Sequence, residues 1–248
     1  RDYYASRGLG DVYKRQAIIA IILSSSFGLY TWMNNPESQM VAVTVRAGSK
    51  AEMALPDGTF VHLNAATNLE YDVNNSKQRL VKLSGEAFFD VAKNPDCPFK
   101  VIINDLQIEV VGTSFNVKTY KKDIVETSLL SGRIRISGGS LPHEYTLSPG
   151  QKATYSAMDR TLRISKADAH VEAGWRDNYL IFESTPLIDV IAQIERWYGV
   201  EIRLHHKQIA QDLLSGSFRN ESIQNVIRSL SIQYGFKYEI HKDIITIY

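Results

Sequence analysis

The sequence predicts a mainly β middle domain, preceded by one N-terminal transmembrane helix and followed by an α+β domain with duplicated β-α-β units. Three observations carry the prediction. Residues 17–33 are apolar and uncharged, short alternating runs fill residues 41–166, and an apolar helical stripe near residues 187–199 recurs 36 positions later.

At 248 residues, 44% of them apolar, the chain can hold two ordinary domains with cores of their own. Its 28 basic and 27 acidic residues leave a formal charge of +1, so no electrostatic footprint for nucleic acid is present. Partners must be recognised by shape. Cys97 is the single cysteine, which rules out an internal disulfide or a thiolate metal cage and predicts a core or turn position.

Residues 17–33 read AIIAIILSSSFGLYTWM, with Tyr30 and Trp32 near one end where interfacial aromatics belong. As a helix they would reach about 26 Å, close to the ~30 Å of a hydrocarbon core. The bulky residues after the apolar run offer no small-x-small cleavage site, so a span is expected in place of a signal peptide. Lys14 and Arg15 precede it, while Asn34, Asn35 and Glu37 follow, which puts the C-terminal bulk outside the cytoplasm. Ser24, Ser25, Ser26 and Gly28 weaken that helix, because serine competes for backbone hydrogen bonds and glycine costs about 1 kcal/mol relative to alanine. An intramembrane protease is an expected partner of such a helix, with helix packing by small residues the alternative reading. Residues 11–16, DVYKRQ, resemble a translated sequencing-adapter end, and residues 1–10 carry no period. Residues 1–16 are read as a residual or non-native segment, and residues 34–45 as a periplasmic linker.

The β domain is expected over residues 46–170. Runs such as FVHL, RLVKL, EAFFDVA, FKVII and RIRIS alternate apolar and polar positions, and turn formers separate them, among them Pro56-Asp57-Gly58, Asn74-Asn75-Ser76, Asn94-Pro95-Asp96 and Ser148-Pro149-Gly150. A sandwich, a roll and a solenoid-like stack all fit this spacing. Gly58, Gly85, Gly112 and Gly132 fall where strands turn or backbones approach closely. Thr113 and Asn116 are expected to satisfy neighbouring backbone groups. Glu86 and Asp90 invite an acid/base reading, but on a strand they share one face without a third partner, so a hydrogen-bonded or solvated face is the better reading.

Six blocks in this domain carry a family resemblance. Leu55-Pro56-Asp57-Gly58-Thr59 with Val61-His62-Leu63-Asn64 resembles the opening of the FecR periplasmic domain. Residues 83–92, LSGEAFFDVA, are similar to its next block. Residues 98–101, 111–117, 130–134 and 147–151 follow in the family's order.

The α+β domain is expected over residues 175–248. Leu187, Val190, Ile191, Ile194, Tyr198 and Gly199 recur as Ile223, Val226, Ile227, Leu230, Tyr234 and Gly235, an i, i+3, i+4, i+7 stripe along two helices of about three turns. Thr185 with Pro186, and Asn220 with Glu221, are the expected helix starts, and Gly199 and Gly235 the stops. Strands are expected before and after each helix, with a last strand over residues 244–248 on one compact sheet. Residues 174–202 are similar to the C-terminal domain of FecR relatives, and the duplicated unit resembles the signalling domain of secretins and TonB-dependent transducers.

His205 and His206 are adjacent and point to different faces, so a surface pair is expected and no metal site. Trp197 matches Gln233 in the repeat, which places it off the core stripe, either as a partner contact or docked on the chain's own β domain beside Trp175. Arg196, Trp197, Tyr198 and Arg219 form the candidate partner-contact set.

The FecR resemblance implies a single-pass inner-membrane regulator without enzymatic activity or cofactor. It implies that a cytoplasmic N-terminal segment, missing here, binds an extracytoplasmic-function sigma factor. It also implies that the periplasmic part meets the signalling domain of a TonB-dependent outer-membrane transporter. A periplasmic glycan-binding or glycan-cleaving β protein and a secretin-like envelope assembly subunit are the rival readings; neither accounts for the ordered six blocks.

Overall fold

The computed structural model describes residues 6–33, 39–73, 79–205 and 207–248. The expected turn at 74–76, the flanking Asn34, Asn35 and Glu37, and His206 lie outside the described residues. Two compact units result, residues 1–39 and residues 40–248.

The first unit holds helix α1, Ser6–Met33, which starts well before the expected apolar segment. Among the described residues no helix is long and apolar enough to cross a membrane. The expected apolar segment over residues 17–33 is helical throughout, but the helix is not shown to cross a membrane. Ser24, Ser25, Ser26 and Gly28 interrupt the apolar run, and Ser24 and Ser25 both donate to the Ile21 carbonyl, at 3.0 and 2.6 Å. Large apolar side chains of α1, Ile18, Ile22 and Phe27 among them, stand exposed.

The second unit opens with fourteen strands in two seven-stranded sheets. Their sequence order is β1 Met40–Val45, β2 Ala51–Ala54, β3 Phe60–Leu63, β4 Thr67–Asp72, β5 Arg79–Ser84, β6 Glu86–Asp90 and β7 Phe99–Ile103, then β8 Leu106–Val110, β9 Ser114–Lys118, β10 Ile124–Ser131, β11 Ile134–Gly138, β12 Tyr145–Leu147, β13 Gln151–Ser156 and β14 Thr161–Lys166. One sheet runs β1-β4-β5-β7-β8-β11-β12 and the other β14-β13-β10-β9-β6-β3-β2. Neighbours pair antiparallel, except that β5 and β7 run parallel. Both sheets feed one core, in which Val61, Phe89, Phe115 and Leu129 of one sheet meet Leu69, Phe99, Ile108 and Ile136 of the other. Two open sheets thus face one another across a shared core, with the strands of each following chain order. β1 falls within the stretch read as a linker and pairs with β4 along its whole length, so the β body reaches back to Met40.

Local chemistry in the sequence blocks fixes the turns. Asp57 accepts from the Thr59 amide at 3.0 Å and its hydroxyl at 2.8 Å, and the buried Arg79 bridges Asp57 to the carbonyls of Ala92, Asn94 and Cys97. Cys97 is half-buried in the turn before β7. At Gly85 a left-handed backbone, φ +115°, combines with a close approach: a Cβ there would sit 2.7 Å from the Thr67 Cα.

The chain then runs through helix α2, Ala169–Ala173, and a 3-10 turn, Gly174–Asp177, into the C-terminal module. Its order is β15 Tyr179–Pro186, α3 Leu187–Tyr198, β16 Glu201–Leu204, β17 Leu213–Arg219, α4 Ile223–Tyr234, β18 Tyr238–His241 and β19 Ile244–Ile247. Helices α3 and α4 keep the 36-residue offset at both ends, and Gly199 and Gly235 end them in left-handed conformations. The stripe residues Val190, Ile191, Ile194, Val226, Ile227 and Leu230 form the module's core with Phe182, Phe236 and Ile245.

Two expectations are corrected here. The module has two sheets, because the first strands of the repeats pair with each other, β15 antiparallel to β17, while the second strands flank β19 in the order β16-β19-β18. The helix starts also differ. α3 begins after Pro186 without a side-chain cap, its Leu187 amide donating to the Asp212 carbonyl at 2.8 Å, while Thr185 bonds to Glu183. α4 is capped by Ser222, whose hydroxyl accepts from the Asn225 amide, and Asn220 is left-handed instead.

Candidate functional site

The outward face of the sheet containing β6 and β9 reads as a wet face, since Glu86, Phe88 and Asp90 alternate with the core residues Ala87 and Phe89. The C-terminal module lies against part of that face. Glu86, Asn116 and Ser128 are buried there although their side chains point away from the sandwich core.

The resulting seam is built from polar groups that satisfy one another. Glu86 accepts from Asn64 at 2.7 Å and from Asn116 at 2.9 Å, and Asn116 accepts from the Trp175 indole at 3.1 Å. Trp175 packs on Phe88, Ala173, Leu130 and Trp197. Its carbonyl takes the Lys50 ammonium at 2.6 Å, which also donates to Asn178 at 3.0 Å and sits 3.6 Å above the Trp197 ring centre. Partial dehydration lowers the Lys50 pKa to about 8, against the opposing pull of the Glu86 charge.

Beside it, the Arg196 guanidinium stacks 4.3 Å over Tyr120, whose hydroxyl bonds to the Ala65 carbonyl. Burial, then Glu86, pushes the Tyr120 hydroxyl pKa up, and burial pulls that of Arg196 down. The Gly48 amide donates to the Arg196 carbonyl at 2.8 Å, and Gly48 meets Gly199 backbone to backbone. At the rim, Lys121 pairs with Asp189 and Lys152 with Glu172, each at 2.6 Å. Burial alone would lower the Lys152 pKa, but the hydrogen bond and charge of Glu172 outweigh it and the value is raised. Among the described residues no buried side-chain nitrogen or oxygen lacks a partner, and no cluster of His, Cys, Asp and Glu could hold a metal ion.

Comparison with known proteins agrees with both halves of the molecule. Residues 41–135 match the family model described as FecR protein, and residues 179–247 match the one described as FecR, C-terminal. Two crystal structures of a "putative anti-sigma factor" from Parabacteroides distasonis, solved at 1.65 and 2.50 Å, superpose with a TM-score of 0.76 and 30% identity. The first aligns over 84% of this chain and 98% of its own, the second over 85% and 99%. The chain belongs to the FecR family. No curated protein matches it.

In this FecR-family chain the four candidate contact residues separate into two groups. Arg196 and Trp197 face the chain's own β body, so the docked alternative for Trp197 is the one observed, with Trp175 as its neighbour. Tyr198 donates to the Glu221 carbonyl at 2.8 Å, and the exposed Arg219 stacks over Tyr179 at 4.7 Å, both within the module. Glu86 and Asp90 share a face without forming a pair: Glu86 is buried in the amide clasp, while Asp90 is exposed and accepts from Ser114 at 2.7 Å. Thr113 bonds to the backbone of Arg133 as expected, but Asn116 bonds to side chains, a correction that follows from the module covering it. His205 is exposed and stacks on Tyr248.

Lys50, Asn64 and Tyr120 were not singled out by sequence reasoning. They lie on three separate segments of the β body, and no local spacing links them.

Proposed function

We propose that this chain regulates a sigma factor as an anti-sigma factor of the FecR type, acting by protein docking and catalysing no reaction. The observation that carries the reading is the ordered match of both FecR family models, with 30% identity over 98% of a crystallised relative described as an anti-sigma factor. The seam adds support of a physical kind. Its carboxylate orients Asn116, which takes the Trp175 indole, and its ammonium bonds to Trp175 and Asn178, an arrangement suited to positioning docking surfaces.

The finer reading is that the protein responds to a TonB-dependent outer-membrane transporter through that transporter's signalling domain, from the periplasmic side of the inner membrane. The exposed apolar side chains of α1, with Lys14 and Arg15 ahead of them, favour membrane association at that end, and the serine hydrogen bonds to Ile21 favour a helix open to an intramembrane protease. Tyr198 and Arg219 are the contact residues proposed on the module surface, with Arg196 and Trp197 beside them.

Affinity capture tests this reading. Residues 40–248, which include β1, should retain the N-terminal signalling domain of a transporter from the same cell, and the whole protein should co-purify with an extracytoplasmic-function sigma factor from a membrane fraction. Loss of the protein should change transcription from that sigma factor's promoters. Unchanged transcription together with failed capture of both partners would refute it.

A further inference from the structure

The module, together with α2 and the 3-10 turn that precede it, is joined covalently to the β body only at residues 167 and 168, so its seating depends on the seam. That seam departs from both hydrophobic cores in its chemistry. Only Phe88, Ala173 and Trp175 form a buried apolar cluster between them, with Trp197 and Leu130 at its edge. The remainder includes a carboxylate, three side-chain amides, a phenol, a guanidinium and an ammonium.

Groups of this kind regain water when separated, so parting the two bodies leaves few unpaired atoms behind. The interlock is also concentrated. Lys50 alone holds the Trp175 carbonyl, the Asn178 side chain and the Trp197 face, and the adjoining Gly48 holds the last turn of α3. A small gap lined by Glu86, Tyr120, Gln193, Arg196 and Trp197 lies within the seam, so the surfaces there are not packed as tightly as a core.

We infer that the module and the β body form a latch that opens as one step, with Lys50 as its bolt, and that the closed form hides the Arg196 and Trp197 face of α3. Closed and open forms interconvert while each body stays folded on its own core. The partial dehydration of the Lys50 ammonium favours this, because opening returns the charge to water. The inference stands on the seam geometry and does not require the sigma-factor reading.

Hydrogen exchange on the full chain in detergent tests it, read by NMR at two protons that bond across the seam: the Gly48 amide and the Trp175 indole. Both should exchange through one shared opening, well before the amides of Phe89 in β6 and Phe115 in β9. Lys50→Met should accelerate both by about tenfold, the loss expected of hydrogen bonds from a charged donor. Lys121→Ala, which removes an exposed pair on the same seam, should change them by less than about threefold. Trp197→Phe, a milder change, should fall between the two and guards against misfolding of the Lys50 variant. The latch is overturned if the two reporters exchange only with the core strands, if they open independently, or if Lys50→Met leaves both unchanged.

Discussion

The Lys50 ammonium lies 3.6 Å from the centre of the Trp197 ring, joining the loop between β1 and β2 to the last turn of α3. A cation over an indole is worth ~0.5–1 kcal/mol in water and ~2 kcal/mol or more when dehydrated. A double-mutant cycle of Lys50→Met and Trp197→Leu, read by denaturant unfolding, should give a coupling of about 1 kcal/mol. Additive losses would mean that the two side chains contribute separately.

The pH dependence of that contact has a definite sign. The Lys50 pKa is about 8 in the folded protein and 10.5 in its ordinary state, so between these values the unfolded chain binds more protons. Stability therefore rises with pH across that window and is insensitive to Lys50 below it. Subtracting the unfolding midpoints of Lys50→Met from those of the native chain between pH 7 and 10 isolates the effect. The difference should grow in favour of the native chain above pH 8. Because the Glu86 charge raises the Lys50 pKa, Glu86→Gln should move the onset to lower pH.

Glu86 itself is a buried acceptor for two amides. Glu86→Leu leaves the Asn64 and Asn116 donors unpaired and removes the negative charge that favours the Lys50 ammonium, which should cost about 2–4 kcal/mol. The glutamine variant keeps one acceptor oxygen and should lose roughly half as much. Equilibrium unfolding monitored by intrinsic tryptophan fluorescence, together with a probe in the sandwich core, would measure both. Neutrality of the leucine variant would remove Glu86 from the seam's energetics.

The alternation of runs such as RLVKL and RIRIS made the strands legible, because a strand with one buried face has a period of two whatever its partner. Partner choice was not legible. β5 pairs parallel with β7 across the intervening β6, which belongs to the other sheet, and nothing in RLVKL or FKVII encodes that crossing. Glu86 and Asn116 illustrate a second limit. Their period marks the face opposite the core, but not that a later part of the chain will cover that face and turn solvated positions into buried ones. The repeat was legible to the residue, because Gly199 and Gly235 fix the helix ends as strongly as the stripe fixes their faces. The α1 segment was legible as a helix, because its aliphatic run continues through the serines that follow.

Backbone geometry separates two glycines that look alike in sequence. Gly85 and Gly150 both have positive φ, +115° and +78°, yet an added Cβ at Gly85 meets the Thr67 Cα at 2.7 Å while at Gly150 nothing lies within 4 Å. Gly150→Ala should cost about 1–2 kcal/mol, the penalty of a left-handed alanine. Gly85→Ala adds a clash with backbone that cannot rotate away and should cost more than about 3 kcal/mol, enough to leave the protein largely insoluble on expression. Comparing their thermal unfolding and soluble yield would check this, and equal losses would place the strain elsewhere.

The two module helices share a length and a stripe but not a start, and this asymmetry is testable. In α4 the Ser222 hydroxyl accepts from the Asn225 amide, so Ser222→Ala removes a true cap and should destabilise the module by about 1 kcal/mol. In α3 the first amide is satisfied by the Asp212 carbonyl, a contact from the turn leading into β17. Thr185→Ala therefore removes only two long, exposed hydrogen bonds to the Glu183 backbone and should cost less than about 0.5 kcal/mol. The helices also end alike, so the difference cannot come from Gly199 and Gly235. If Thr185→Ala proved as costly as Ser222→Ala, the Asp212 carbonyl would not be supplying the partner that α3 needs, and the first repeat would start as its Thr-Pro sequence suggests.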